Sequence, residues 1–294
     1  MLDRRELLEA AVAVGGATLL SRSHANADEQ PAEAPHPDTT RIVDTNVNLF
    51  QWPFRRLPLG ETEQLVGKLR ELRTAEAWAS SFEGLLHRDI SGVNLRLARE
   101  CERFSELVPI GCLNLGLPDG EEDLRRCSEE HHMPGVRVYP NYHGYSLDDE
   151  RFVRLLQLAT SAGLFVQIAV AMEDVRTQHP LVQVADVDLT PLSNRMSQVP
   201  DCRVQLLNYR PQAHLMSQLI KVAGLYFDVA RVDGTQGITK LMQVASNRVM
   251  LGSHAPFLIP EAALIRVDES ELGEVERRSL LSGNAQRFGR REVL

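Results

Sequence analysis

His254 is the single histidine among the polar residues that end the apolar runs of this sequence, and it sets the chemistry on offer. Placed against Asp44 or Asp228, its imidazole would form a metal-free acid/base pair, since histidine exchanges its proton near neutral pH. Arg137 or Arg231 would then hold a substrate carboxylate, because a guanidinium presents a planar fork of donors that a carboxylate accepts in pairs. Asn46, Asn48, Asn114 and Asn208 add a neutral ring of donors and acceptors suited to a polyol or sugar-like ligand, and Tyr139 joins them as a candidate substrate contact. Each has a plainer alternative. His254 is then a hydrogen-bonded residue with no catalytic duty, and the amides bond to one another, as buried polar groups must. Trp52, flanked by Phe50, Pro53 and Phe54, either walls a pocket by stacking or anchors its loop.

These residues need a scaffold that gathers them. Strands are expected over 41–45, 75–80, 108–115, 135–139, 164–171, 202–207, 225–229 and 248–252. Several are continuous apolar runs without polar alternation, as parallel strands covered on both faces require. Helical periodicity fills the gaps, over 61–73, 93–106, 121–130, 148–162, 189–198, 211–223 and 237–246. Eight strands, each followed by a helix, within about 250 residues make a (β/α)8 TIM barrel, of α/β class, the expected fold. An open doubly wound sheet is the alternative, and no G-x-G-x-x-G follows the first strand to support it. In a barrel the chemistry lies at the C-terminal ends of the strands, where every residue named above falls.

At these positions the sequence resembles the amidohydrolase-related TIM-barrel family, in the branch containing small-molecule decarboxylases and lactone hydrolases. Ile42-Val43-Asp44-Thr45-Asn46-Val47-Asn48 is similar to the family's D-x-H-x-H strand, and Gly135-Val136-Arg137 to its fourth-strand G-[IV]-[KR]. Leu164–Ile168 with Arg176-x-x-His179-Pro180 resembles the fifth strand and its exit loop. Met250-Leu251-Gly252-Ser253-His254-Ala255-Pro256 resembles F-G-S-D-x-P, and Ser282-Gly283-Asn284-Ala285-Gln286-Arg287-Phe288 the terminal G-N-A-x-R-L-F. The resemblance runs from about residue 41 to the end of the sequence and implies a metal-dependent-hydrolase-like barrel over 41–294.

The departures from the family pattern carry as much as the matches. Where metal-using members have two first-strand histidines this sequence has Asn46 and Asn48; the fifth-strand position is Ala169, or Gln167 on a shifted reading. The sixth-strand end offers Asn208, and His254 replaces the eighth-strand aspartate. Neutral amide oxygens are weak ligands for zinc-like ions, although a hard ion such as Ca2+ accepts them. Without a tightly held cation the usual route to a hydroxide nucleophile is gone. The usual divalent-metal site is therefore read as lost, with no metal ligand assigned and the cofactor left open. Two functions stand: a hydrolase acting on a small carbonyl, ester or lactone substrate, with His254 and Asp44 catalytic and Asn46, Asn48, Arg137, Tyr139, Asn208 and Arg231 binding substrate; or an inactive barrel that binds a small polar ligand or a protein partner.

Composition narrows the partners. The 294 residues carry 32 basic and 40 acidic side chains, a net charge of −8, and only Lys68, Lys221 and Lys240 are lysines. No basic patch for nucleic acid is expected from such a balance. Residues 1–27 read as a Tat-like signal peptide: Arg4-Arg5, the mild apolar stretch Ala10–Leu20, and the cleavage site Ala25-Asn26-Ala27. Export to the periplasm or beyond follows, with no transmembrane anchor after cleavage. Residues 28–40, rich in Pro and acid, read as a disordered linker. Cys101, Cys112, Cys127 and Cys202 match no zinc spacing and are expected to be buried thiols, with pairing of two of them left open in an exported protein. His131-His132 is placed at the stability end of the barrel, and His143 with Tyr142 either covers the mouth or lies on a loop surface. Oligomeric state is not legible.

Overall fold

Paired strands run parallel and follow one another in chain order, as strand–helix alternation produces. The structure is a computed structural model describing residues 41–290. The segments read as signal peptide (1–27) and linker (28–40), with residues 291–294, lie outside the described residues. In chain order the elements are β1 (Ile42–Leu49), α1 (Thr62–Glu71), β2 (Thr74–Ser81), α2 (Ile90–Cys101), β3 (Leu107–Pro109), β4 (Gly111–Leu113), α3 (Gly120–Glu129), β5 (Gly135–Val138), α4 (Pro140–His143) and α5 (Glu150–Ser161). They continue with β6 (Phe165–Ala169), α6 (Leu192–Ser197), β7 (Val204–Leu207), α7 (Ala213–Leu219), β8 (Leu225–Asp228), α8 (Gly237–Ala245), β9 (Val249–Met250), α9 (Pro260–Asp268), α10 (Glu274–Arg278) and α11 (Asn284–Gly289).

Hydrogen bonding joins β1-β2-β3 and, separately, β4-β5-β6-β7-β8-β9. The two sets are one closed barrel. β3 and β4 are halves of a single barrel strand, and the Ile110 N–H donates to the Ala79 carbonyl at 2.8 Å between them. Pro109, opposite Ala79, has no N–H to give, so the expected strand over 108–115 breaks there and changes partner from β2 to β5. On the far side a parallel bridge between Val47 and Ala255 closes the ring. The closed barrel rules out the open-sheet alternative. β1 also runs four residues beyond its expected end, because Asn46 and Asn48 look like loop residues until the barrel interior gives their amides partners.

The helices follow the expected periodicity. Asp149 caps α5 by accepting from the Arg151 N–H at 2.9 Å, and Phe152, Val153, Leu155, Leu156 and Ala159 form its buried stripe. The barrel floor is plugged by Phe288 of α11, whose ring centroid lies 4.8 Å from that of Phe165 and 4.6 Å from that of Tyr226. All four cysteines are free, buried thiols. Among the described residues no helix is long and apolar enough to cross a membrane.

Candidate functional site at the barrel mouth

The chain after β9 runs alongside β1 and delivers His254 to the mouth. The Thr45 N–H donates to the Leu251 carbonyl (2.9 Å), the His254 N–H to Asn46 (2.8 Å), and the Asn48 N–H to Ala255 (2.8 Å). His254 and Asn208 both hold a left-handed backbone, φ 59° and 58°. That conformation costs a non-glycine residue about 1–2 kcal/mol and turns each chain sharply at its strand end.

Three polar groups meet beside them. The Asn46 Nδ2 donates to Asn208 Oδ1 at 2.8 Å and to Asp228 Oδ2 at 2.7 Å, while Asp228 Oδ1 accepts from the N–H groups of Asn208 (3.0 Å) and Ala230 (3.3 Å). A side chain at Gly252 would bring a Cβ within 2.8 Å of the Asp228 Cβ, so only glycine lets the cluster close. Burial pushes the Asp228 carboxyl up to about 7; the bonds from Asn46, Asn208 and Ala230 pull against the rise and the neighbouring Asp44 adds to it. Asp44 is itself pushed up to about 6 by burial, against hydrogen bonds from Ser253 and Asn46.

The His254 ring has both nitrogens occupied. Nε2 lies 2.9 Å from the Met172 carbonyl, which can only accept, so Nε2 carries the proton; Nδ1 then accepts from Asn208 Nδ2 at 3.3 Å. Burial holds the ring neutral, with its pKa lowered to about 3. His254 forms no ion pair with Asp44 or Asp228 among the described residues, and Asn208 stands between it and Asp228. The sequence-level pairing of His254 with a carboxyl is thus an arrangement the structure does not make.

Arg137 stands deeper, 1% exposed. Its Nε donates to Gln167 Oε1 (2.9 Å) and its Nη1 to Asn48 Oδ1 (2.8 Å) and the Val47 carbonyl (3.2 Å). Gln167 in turn donates to Gln205 Oε1 (2.8 Å), and Gln205 to Thr45 Oγ1 (2.6 Å), so a chain of side chains crosses the barrel and fixes the guanidinium. No carboxylate pairs with Arg137 among the described residues. Its Nη2, the Nδ2 of Asn48 and the Oδ1 of Asn46 are buried with no partner there. Burial lowers the Arg137 pKa, but a guanidinium keeps its charge. Tyr139 is fully buried, its hydroxyl 3.5 Å from Ser80 Oγ and from the Ser81 carbonyl, and burial raises its pKa. Arg231 lies at the rim, its side chain 10% exposed and 3.9 Å from Asp174, which Arg210 also holds at 3.0 Å.

An aromatic cover closes the mouth. The Trp52 ring packs edge-on against Phe54, Phe82, Tyr142 and Phe257, at centroid distances of 5.5, 5.3, 6.5 and 5.1 Å. Phe257 stacks on His254 at 5.0 Å and carries the Arg55 guanidinium on its ring at 4.7 Å, and Arg55 is paired with the buried Glu173. Trp52 therefore both anchors its loop and roofs the polar ring.

No protein-family model matches this sequence, and no curated protein matches it. Solved structures do. IDCase from Metarhizium anisopliae superposes with a TM-score of 0.63 at 14% identity, covering 86% of this chain and 98% of its own. The 5-carboxyvanillate decarboxylase of Novosphingobium aromaticivorans, solved with manganese and 4-hydroxy-3-methoxy-5-nitrobenzoic acid, gives 0.67 at 14%, covering 85% and 96%. The 2,6-dihydroxybenzoate decarboxylase from Rhizobium gives 0.64 at 11%, covering 85% and 98%. The chain has the (β/α)8 TIM-barrel fold of these structures.

Members of this fold that carry manganese raise the question of whether this barrel's residues suit such an ion. They do not. The Asn46 amide already stands between Asn208 Oδ1 and Asp228 Oδ2, its protons filling the space where two acceptors converge. Both His254 nitrogens are spent, and among the described residues no three His, Cys, Asp or Glu side chains gather as a metal site. Ala169, the last residue of β6, is apolar and packs under the cover.

Of the residues singled out from sequence, Asp44, Asn46, Asn48, Arg137, Tyr139, Asn208 and His254 line one buried interior, with Arg231 at its rim. Asn114 stays apart, its Oδ1 accepting from the Gly116 N–H at 2.8 Å. Of the two readings of His143, the structure makes it a partly buried residue after β5: its Nε2 lies 3.0 Å from the Gly84 carbonyl, and burial lowers its pKa to about 4. Sequence reasoning missed Gln205 and the crossing chain. Its signal was present, a glutamine at the centre of each of two apolar strands, FVQIA and VQLL.

Proposed function

We propose that this barrel binds a small organic carboxylate at its mouth and does so without a resident transition metal. The observation that carries the reading is Arg137, a buried guanidinium with no carboxylate partner among the described residues: its Nη1 donates to Asn48 Oδ1, while its Nη2 and the Asn48 Nδ2 are left without hydrogen bonds. These donors suit a carboxylate's oxygens, and the unpartnered Asn46 Oδ1 suits a hydroxyl. Leaving a buried charge uncompensated costs several kcal/mol, so a ligand that supplies the opposite charge gains accordingly. The aromatic cover offers ring faces to an aromatic acid, and fold relatives named for decarboxylating 5-carboxyvanillate and 2,6-dihydroxybenzoate support that ligand class.

A second reading, turnover of that ligand as a carboxylated ester or lactone, is favoured by Asp228. A carboxyl held at about 7 can give or accept a proton at neutral pH. Export, read from Arg4-Arg5 and Ala25-Asn26-Ala27, belongs to the same proposal and is checked by the N-terminus of protein recovered from the native host.

The test is calorimetric titration with benzoate and 2,6-dihydroxybenzoate, with and without added manganese. Saturable binding that manganese leaves alone, and that weakens by about tenfold in Arg137→Lys, where charge remains but the fork is lost, is the expected result. Absence of carboxylate binding, or equal affinity in Arg137→Lys, overturns the ligand assignment. Stoichiometric manganese uptake overturns the metal-free part.

A further inference from the structure

The opposite end of the barrel holds a cavity of about 730 Å3, where the chain enters β6, β7 and β8 and α11 ends. This is the face that a barrel enzyme normally gives to stability. Its charge is unlike that of the rest of the molecule. Lys221, Arg203, Arg287 and Arg290 line it and Asp201 is the one acid among its lining residues, in a chain whose net charge is −8.

Three of these cations stand apart from the ion pairs seen elsewhere among the described residues. Most surface arginines of this protein sit in ion pairs, such as Arg125 with Glu122, Glu129 and Glu130, or Arg195 with Asp148 and Glu150. Lys221, Arg287 and Arg290 form none among the described residues, and all three are exposed. Arg203 fixes the frame: its guanidinium donates to the carbonyls of Phe288, Arg290 (2.8 Å) and Gly163 (2.8 Å), tying the end of α11 to the strand entrances. The loop that carries Lys221 is fixed as well. Gly224, at φ 71°, lies so close to the Cys202 carbonyl that a Cβ would come within 2.2 Å of it, and its own carbonyl accepts from the Val204 N–H at 2.9 Å. Tyr226, half-buried, supplies a ring on the cavity wall beside this charge.

We infer that this floor cavity is a binding site for a phosphate-bearing small molecule, with Lys221, Arg287 and Arg290 as its anion contacts. A phosphate monoester carries about −1.5 to −2 charges and three acceptor oxygens, which matches several cations better than a single carboxylate does. The volume falls in the range of small-molecule sites, about 300–1,000 Å3. The site is independent of the carboxylate proposed at the mouth, and neither result decides the other.

The probe is inorganic phosphate, titrated by calorimetry into the full chain, with acetate as the competing chemistry. Phosphate binds saturably, acetate binds far more weakly, and affinity falls as salt rises. Lys221→Ala and Arg290→Ala remove exposed side chains that make no hydrogen bond among the described residues, whereas Arg287 also donates to the buried Asn284 Oδ1; each of the two variants loses about tenfold in phosphate affinity and the double variant about a hundredfold. Lys240→Ala removes an equal charge from α8 and keeps wild-type affinity. Failure of phosphate to bind, acetate binding as well as phosphate, or a double variant that binds like wild type each overturns the site.

Discussion

Replacing Asp228 with asparagine tests whether the barrel mouth stores a buried, reluctantly charged carboxyl. In the folded protein Asp228 titrates near 7, against 3.8 for an exposed aspartate, because burial disfavours the anion more than its hydrogen bonds restore it. A folded-state value above the unfolded one means the native protein holds this proton more tightly. The stability it contributes is complete below about pH 3.8 and is lost as pH rises through about 7. At about 1.4 kcal/mol per pKa step, the wild type loses on the order of 4 kcal/mol through this group between about pH 4 and about pH 8. Asp228→Asn has no proton to lose there. It carries one fixed penalty instead, since its amide NH2 would face the Asn46 Nδ2 that now donates to Asp228 Oδ2. That mismatch costs about 1–3 kcal/mol at every pH. Urea denaturation of both proteins across this range should therefore show the variant gaining on the wild type by about 4 kcal/mol as pH rises, whatever its starting offset. Contributions from Asp44 and His254 are shared by both chains and largely cancel in the difference. A difference that stays constant within about 1 kcal/mol from acid to alkaline pH would refute the reasoning.

Two other perturbations read the same site from different sides. His254 is held neutral with its pKa lowered to about 3, so its stability is fully present above about 6.5 and is lost as pH falls through about 3. His254→Gln, which can still donate to Met172 and accept from Asn208, removes up to about 5 kcal/mol of that acid sensitivity in a pH series of denaturation curves; an unaltered acid limb would mean the ring is not buried neutral. Trp52→Ala takes away the ring on which Phe54, Phe82, Tyr142 and Phe257 all pack, and costs about 3–5 kcal/mol in urea denaturation, with faster amide exchange over the mouth. A loss below about 1 kcal/mol would show that the cover is not a packed unit.

Asparagines and a histidine, not carboxylates alone, make up the polar ring of the barrel mouth. Hydrogen bonds link Asn46, Asn208, Asp228 and His254 there, closed over by aromatic rings. Such a network is satisfied by its own members except at Arg137, Asn46 and Asn48, where three polar atoms remain without partners among the described residues. That is where a ligand has most to offer.

The sequence alone determined the architecture, because apolar runs alternating with amphipathic stretches have few compact solutions and a closed parallel barrel is one of them. It also placed the polar residues at strand ends. The tertiary structure decided everything that depends on distance. It set Asn208 between His254 and Asp228, and so replaced the expected acid/base pair with a neutral, fully bonded imidazole. It ran Gln167 and Gln205 across the barrel to Arg137, a link between residues 30 and 38 positions apart that no local pattern encodes. It raised Asp228 to about 7, a consequence of burial by neighbours from other strands and not of aspartate itself. Periodicity is a property of neighbours along the chain. Charge state, partnership and access belong to neighbours in space, and only closing the barrel assigns those.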